Sequence, residues 1–248
     1  MEGKMAAGDD DELGYVVEQA SLTPRYLIYM TLAGVLAGVG LLSNSVPILV
    51  GSMIIAPVLP PVALVAFGVV HGQASLAARG AGIAVLGLGT AAVAAVLVAL
   101  LMQVTGVIPP GTELLGKPML EERVRPGWWT LAAALAGGVV GVVALTEKKT
   151  DTLIGTVAAL ALVPAGAAAG IAALAADTDR ALGGLLLLGT NFAMIVAMGI
   201  LVLAVLHRKA APLPLTISVA LIATIVVLMV MAHSTGVTPG QPPSIPSF

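Results

Sequence analysis

Cysteine is absent from the chain, which excludes disulfides, thiolate metal sites and thiol redox chemistry. Charge is nearly as scarce. Asp, Glu, Lys and Arg make up 10% of the 248 residues, against about a quarter in an ordinary soluble domain. Aromatic residues supply only 3%, so packing must come from Ala, Gly, Val and Leu. None of the charges falls inside the long apolar runs described below. A charge in hydrocarbon is costly and normally functional, so this absence argues against a proton relay, a voltage sensor or an intramembrane aspartyl protease. HExxH, GxSxG and P-loop patterns are missing as well. No enzyme, cofactor, metal site or nucleic-acid partner is therefore expected.

What the chain does have is apolar length. It is 58% hydrophobic, with a mean hydropathy of +1.06. A spanning helix needs about 20 mostly apolar residues, and seven stretches qualify: Tyr26–Leu42, Val46–Val70, Ala81–Val104, Trp128–Thr146, Leu153–Leu174, Ala181–Leu206 and Leu215–Ala232. Short polar breaks such as "SNS", "EKKTD" and "ADTDR" separate them and carry helix-start chemistry at Asn44, Ser45, Asp151 and Asp177. Residues 105–127 form the long connection, with room for a surface helix or a short cap. The first 25 residues gather Asp9, Asp10, Asp11, Glu12 and Glu18 and read as an acidic, partly disordered arm rather than a signal peptide. The last residues, 233–248, are Pro-rich. With seven spans, Lys4, Arg25, Arg79, Lys148, Lys149, Arg208 and Lys209 share one side, and Lys117, Arg123, Arg125 and Arg180 the other. This split predicts a cytoplasmic N-terminus.

A shift of 104 positions lays one half of the chain on the other without a gap. Gly51 falls on Gly155, Ser52 on Thr156, Pro60 on Pro164 and Gly80 on Gly184. Each repeat then holds three spans, 26–104 and 128–206, and the odd number makes the second enter from the opposite face. Inverted repeats of this kind characterise many transporters, with the solute near the midplane. The seventh span, within 207–232, stands outside the repeat.

Pro57, Pro60 and Pro61 interrupt the second span at its middle, and Pro164 does so in the fifth. Proline removes a backbone donor and frees a carbonyl one turn earlier. In lipid such groups must meet neighbours, protein or a water-filled cavity. Half-helices starting at Pro60 and Pro164 would aim positive ends at the midplane, a place for an anion. Kinks that only shape packing are the competing explanation, and re-entrant hairpins compete with full spans, which the unbroken apolar run around Pro164 favours. Polar groups at this depth are Thr190 and Asn191, with Asn191 either lining a site or bonding across helices. Ser52 and Thr156 have the alternative of bonding to their own backbone, and Met53 that of filling the core. Gly34–x3–Gly38, Gly137–x3–Gly141 and Gly166–x3–Gly170 predict close helix crossings.

The stretches "GLLSNSVPILVGSMIIAPVLPPVALVAFG", "LIGTVAALALVPAGAAAGIAAL" and "LLLLGTNFAMIV" resemble a prokaryotic membrane family known as domain of unknown function 389, over residues 27–206. Asn44, Gly51, Met53, Pro57, Pro61, Pro164 and Asn191 occupy its motif positions, while Ala165 stands where members often have another Pro. The resemblance implies a membrane protein without an established activity. Many members carry a soluble domain, and its function is expected to be absent or supplied by another chain.

The expectation is thus an all-α, polytopic protein of the prokaryotic inner membrane. It has about seven transmembrane helices in two inverted three-helix repeats, with proline-broken helices 2 and 5. The expected function is a transporter or channel for a small anionic or zwitterionic solute. Ser52, Met53, Pro57, Pro60, Pro61, Thr156, Pro164, Thr190 and Asn191 would surround the solute, with Asn44, Gly51 and Gly155 as structural motif residues. Its partners are the lipid bilayer, the solute and further copies of the chain. The competing class is a non-transporting receptor or assembly subunit.

Overall fold

The computed structural model describes residues 2–108, 116–125, 128–147, 152–207, 215–216 and 218–226, with side chains from residue 11 onward except at 128–129, 152–160 and 207. Among these residues there are helices and turns and no strand. The helices are α1 (Glu2–Gln19), α2 (Pro24–Ser43), α3 (Val46–Ile55), α4 (Leu59–Val70), α5 (Ala74–Val104), α6 (Pro118–Arg123), α7 (Trp128–Thr146), α8 (Thr152–Leu174) and α9 (Thr178–His207). Residues 218–226 are helical too; the rest of the expected seventh span and the Pro-rich tail lie outside the described residues.

By length and composition α2, α5 and residues Thr178–Leu206 are able to cross a membrane, and α3 with α4 make a fourth candidate bent by 52°. Their outer faces fit lipid rather than water: Val85, Val93, Leu97 and Leu101 of α5 are each at least 60% exposed. Phe67, Leu64, Leu162, Ile171 and Met194 are fully buried and form the centre.

Small residues set the helix approach. Along α2 and α5, the Tyr26 hydroxyl donates to the Ile83 carbonyl at 3.1 Å, and a Cβ at Gly34 or Gly38 would strike Ala91 or Ala95. Residue numbers rise together on both helices, so α2 and α5 run parallel. The same holds for α7 and α9, where Gly138 faces Ile195 and Gly199 faces Val142. Helices α4 and α5 meet where Gly80 faces Val65, and α8 and α9 where Gly184 faces Ala169. These contacts recur between the halves at the same offset of 104: 34/91 with 138/195, 38/95 with 142/199, and 65/80 with 169/184. Between the halves, Gly170 of α8 lies on Ala92 and Val96 of α5, while Ala66 of α4 lies against Gly199 of α9.

The expected glycine pairs are used unevenly. Gly34 and Gly38 both face α5, while Gly141 takes the Leu59 side chain. Gly166 has only looser neighbours, the nearest at 3.8 Å.

In the N-terminal arm, α1 is helical from Glu2 to Gln19 and packs on α4 and α7. Its acidic run is followed by Leu13, Val16 and Ala20, buried at 8%, 0% and 1% exposure. That spacing makes one apolar stripe of a helix, and docking the stripe stabilises a segment too polar to hold by itself.

Candidate functional site

The α3–α4 break follows from its prolines. Pro57 pushes the residue before it out of the helical region, and Ala56 accordingly sits at φ −77°, ψ 114°, ending α3. Pro60 and Pro61 open α4, where the first turn has no use for their missing N–H groups. The linking Val58 N–H donates back to the Ala56 carbonyl at 2.9 Å.

Counting donors and acceptors shows which backbone groups the break leaves without helix partners. The helix partners of the Met53, Ala56 and Pro57 carbonyls would be the N–H groups of residues 57, 60 and 61, all prolines. The end of α4 that was expected to offer donors to an anion has lost two of them, and the Val62 N–H serves the Val58 carbonyl at 3.4 Å. The carbonyl end of α3 carries the negative end of its dipole. The Met53 and Pro57 carbonyls at the break thus lack their helix donors, while the Ala56 carbonyl accepts the Val58 N–H.

Pro164 requires a correction. Helix α8 runs unbroken from Thr152 to Leu174 with Pro164 inside it, so no half-helix begins there. The physical reason lies on α9. Proline crowds the carbonyls of the preceding turn, and in membranes a neighbouring helix can satisfy them. The Asn191 side-chain amide, 2% exposed, donates to the Ala161 carbonyl at 2.9 Å. Asn191 thus makes an interhelical bond, one of its two expected roles, and it acts beside Pro164.

The remaining site residues divide. Ser52 is fully buried and its hydroxyl donates to its own helix at Leu49, 2.6 Å away. Met53 and Pro61 are buried, while Pro57 and Pro60 are half-buried. Thr190, half-buried, spends its hydroxyl on the carbonyls of Leu186 and Leu187 of α9. Nothing lies near a Cβ built on Gly51. The side chain of Thr156 and the surroundings of Gly155 lie outside the described residues. Pro61 packs on Gly80, in the first third of α5, and Gly166, near Pro164, approaches Leu88 at the middle of that helix. Asn44 ends α2 in the left-handed region at φ 54°, and its side-chain oxygen accepts the Met119 N–H at 3.2 Å.

Two further features lie away from the prolines, the first within the connection that had room for a surface helix or a short cap. Residues 117–125 form a strap around α6, held by Arg180, which donates to Glu121 at 2.9 Å and to Asp177 at 2.6 Å. Glu121 also pairs with Arg125 at 2.5 Å, and the Val124 carbonyl rests on Gly183. The Asp177-x-x-Arg180 spacing at the start of α9 was the available signal. The second is an open groove of about 290 Å³ between α5 and α8, lined by Ala92, Val93, Val96, Leu97, Gly170 and Ala173 without a polar surface. Among the described residues no cluster of His, Asp and Glu has metal-binding geometry.

A family model described as Domain of unknown function (DUF389) matches residues 53–197. The chain belongs to this family. The DUF389 match contains the break, Pro164 and Asn191 and begins just after Ser52, leaving Asn44 and Gly51 outside it. Among curated proteins the chain is similar to "Uncharacterized protein MJ0678" of Methanocaldococcus jannaschii, 24% identical over 172 residues. The alignment covers 69% of this chain and 51% of that protein, so the chain spans about half the length of the curated relative it matches. No solved structure matches. The DUF389 protein is thus a membrane protein built of apolar helices.

Proposed function

We propose that this DUF389 protein is an integral membrane transporter or channel for a small solute, with the α3–α4 break as its mid-depth recognition element. One observation carries the reading: matching helix contacts recur at a fixed offset of 104 in the two halves of the chain. Gly166 near Leu88 and Gly170 near Ala92 make α8 parallel to α5. Asn191 on Ala161 and Gly184 on Ala169 make α9 antiparallel to α8. Helix α9, the repeat mate of α5, therefore runs against it, as an inverted repeat requires.

The parallel pair α2 and α5 supports a full passage by α3 and α4, because a re-entrant hairpin would leave that pair antiparallel. Seven crossings of the inner membrane, N-terminus in the cytoplasm, complete the topology. The acceptor-rich break narrows the solute to a small cation or a zwitterion recognised through its ammonium group. Apolar outer faces such as that of α5 allow copies of the chain to associate.

A receptor or assembly subunit is the reading that transport must displace, and the tight burial of Ser52 and Met53 at the break favours it. Liposome flux separates the two. Purified protein should move alkali cations, methylammonium or a neutral amino acid faster than empty vesicles, and chloride and phosphate should lag. No flux of any member of that panel would overturn transport.

A further inference from the structure

The 104-residue correspondence extends beyond the three-helix units. Shifted by that offset, residues 14–19 of α1 fall on Pro118–Arg123, which is α6. Val16 falls on Leu120, and each is 0% exposed; Ala20 falls on Val124, at 1% and 2%. The packing partners correspond as well. Helix α1 packs on α4 of its own unit and α7 of the other, and α6 packs on α8 of its own unit and α2 of the other. Because α7 is the mate of α2 and α8 that of α3 and α4, exchanging the units turns one pair of contacts into the other. The ends differ: α1 joins the start of α2 through four residues, whereas α6 is tied to its other end through Asn44. A 20-residue α2 separates them by about 30 Å.

We infer that α1 and α6 are equivalent end covers, one docked over each mouth of the helix bundle, and that Arg180 is the latch of the α6 cover. The inference rests on the inverted relation proposed above. Each cover is held by a small apolar stripe, and each touches both units, so relative motion of the units must strain or release it. Arg180 bridges from α9 to Glu121 on α6 while Asp177 orients its guanidinium. Removing the bridge frees one cover and leaves the other in place.

The chain's lack of cysteine makes the test direct. Single substitutions Val16→Cys and Leu120→Cys place a thiol beneath each cover, with Glu18→Cys and Glu122→Cys as exposed controls. A membrane-impermeant maleimide is applied to intact and to permeabilised cells. Both buried positions should label slowly relative to their controls, and from opposite sides. Arg180→Ala, or high salt without any substitution, should speed labelling of the Leu120→Cys protein about two- to fivefold, the effect of losing the one surface ion pair that joins α9 to α6. Labelling of the Val16→Cys protein should not change. Val124→Cys repeats the measurement if the Leu120 variant fails to insert. Labelling as fast as the controls, or no response to Arg180→Ala and salt, overturns the covers and leaves transport untouched. Labelling of both sites from one side overturns the inverted relation as well. A protein that passes this test yet shows no flux loses the transport reading alone.

Discussion

The bond from Asn191 to Ala161 permits a quantitative test of why α8 survives its proline. Replacing Asn191 with Leu removes the donor and leaves the Ala161 carbonyl in apolar surroundings. Interhelical hydrogen bonds in membranes average about 0.6 kcal/mol and reach about 1.7. Burial of Asn191 at 2% exposure and a bond length of 2.9 Å place this one in the upper half of that range. The Asn191→Leu protein should therefore lose about 1 kcal/mol of stability in detergent or bicelles. Pro164→Ala restores an N–H for the carbonyl of Leu160 and relaxes the turn that also holds the Ala161 carbonyl, which lessens the need for the Asn191 bond. In that background Asn191→Leu should cost much less, a coupling of about 0.5–1 kcal/mol. The assay is a double-mutant cycle read by denaturant unfolding of the purified protein. Additive costs, within about 0.3–0.5 kcal/mol, would refute the idea that Asn191 compensates for Pro164. A solute-dependent stabilisation lost in Asn191→Leu but retained in Pro164→Ala would instead return Asn191 to a binding role.

Three further outcomes follow from the packing and the charges. Gly34→Ala and Gly138→Ala, equivalent crossings, should each destabilise by about 1–3 kcal/mol, whereas Gly89→Ala, which meets nothing within 4 Å, should gain up to about 1 kcal/mol in thermal unfolding; equal effects at all of these sites would contradict the crossings. The Arg180 backbone N–H, and then its guanidinium, hold the Asp177 carboxyl below its ordinary value of 3.8. A lowered carboxyl contributes stability above its unfolded value and loses it as pH falls through the folded one. Protection of a Leu120→Cys thiol should therefore decline below about pH 4 and hold steady from there to neutrality. Reporter fusions after residues 75, 115, 149 and 178 should alternate between the two sides of the membrane, and two successive fusions on one side would remove the seven-span topology.

Much of the helical order was legible because apolar length and polar breaks are local signals. The extent of α2, close to the expected Tyr26–Leu42, and the break before Val58 depend on residues close together in the chain. The site was less legible because its chemistry depends on a balance. A proline reads as a helix start, but two in succession remove the donors that would make that start attractive to an anion. At Pro164 the deciding partner, Asn191, lies a helix away. In the N-terminal arm the acids at 9–12 hid the apolar stripe of Leu13, Val16 and Ala20, and in α6 a six-residue helix is too short to show a period.

The matched crossings differ in which helix yields its side chain. At 38/95 the glycine is on the first helix of the unit and the larger partner is Ala95; at 142/199 the glycine is on the last helix, opposite Val142. The space fixed at the crossing belongs to the pair of positions, and either helix can surrender it. Two such halves can drift apart residue by residue while the distance between their helices stays put. Likeness between them is then poorly measured by comparing single positions and better measured by summing the volumes across each crossing. Gly38→Val joined to Ala95→Gly should be tolerated where Gly38→Val alone is not, a trade that the other half of the molecule has already made.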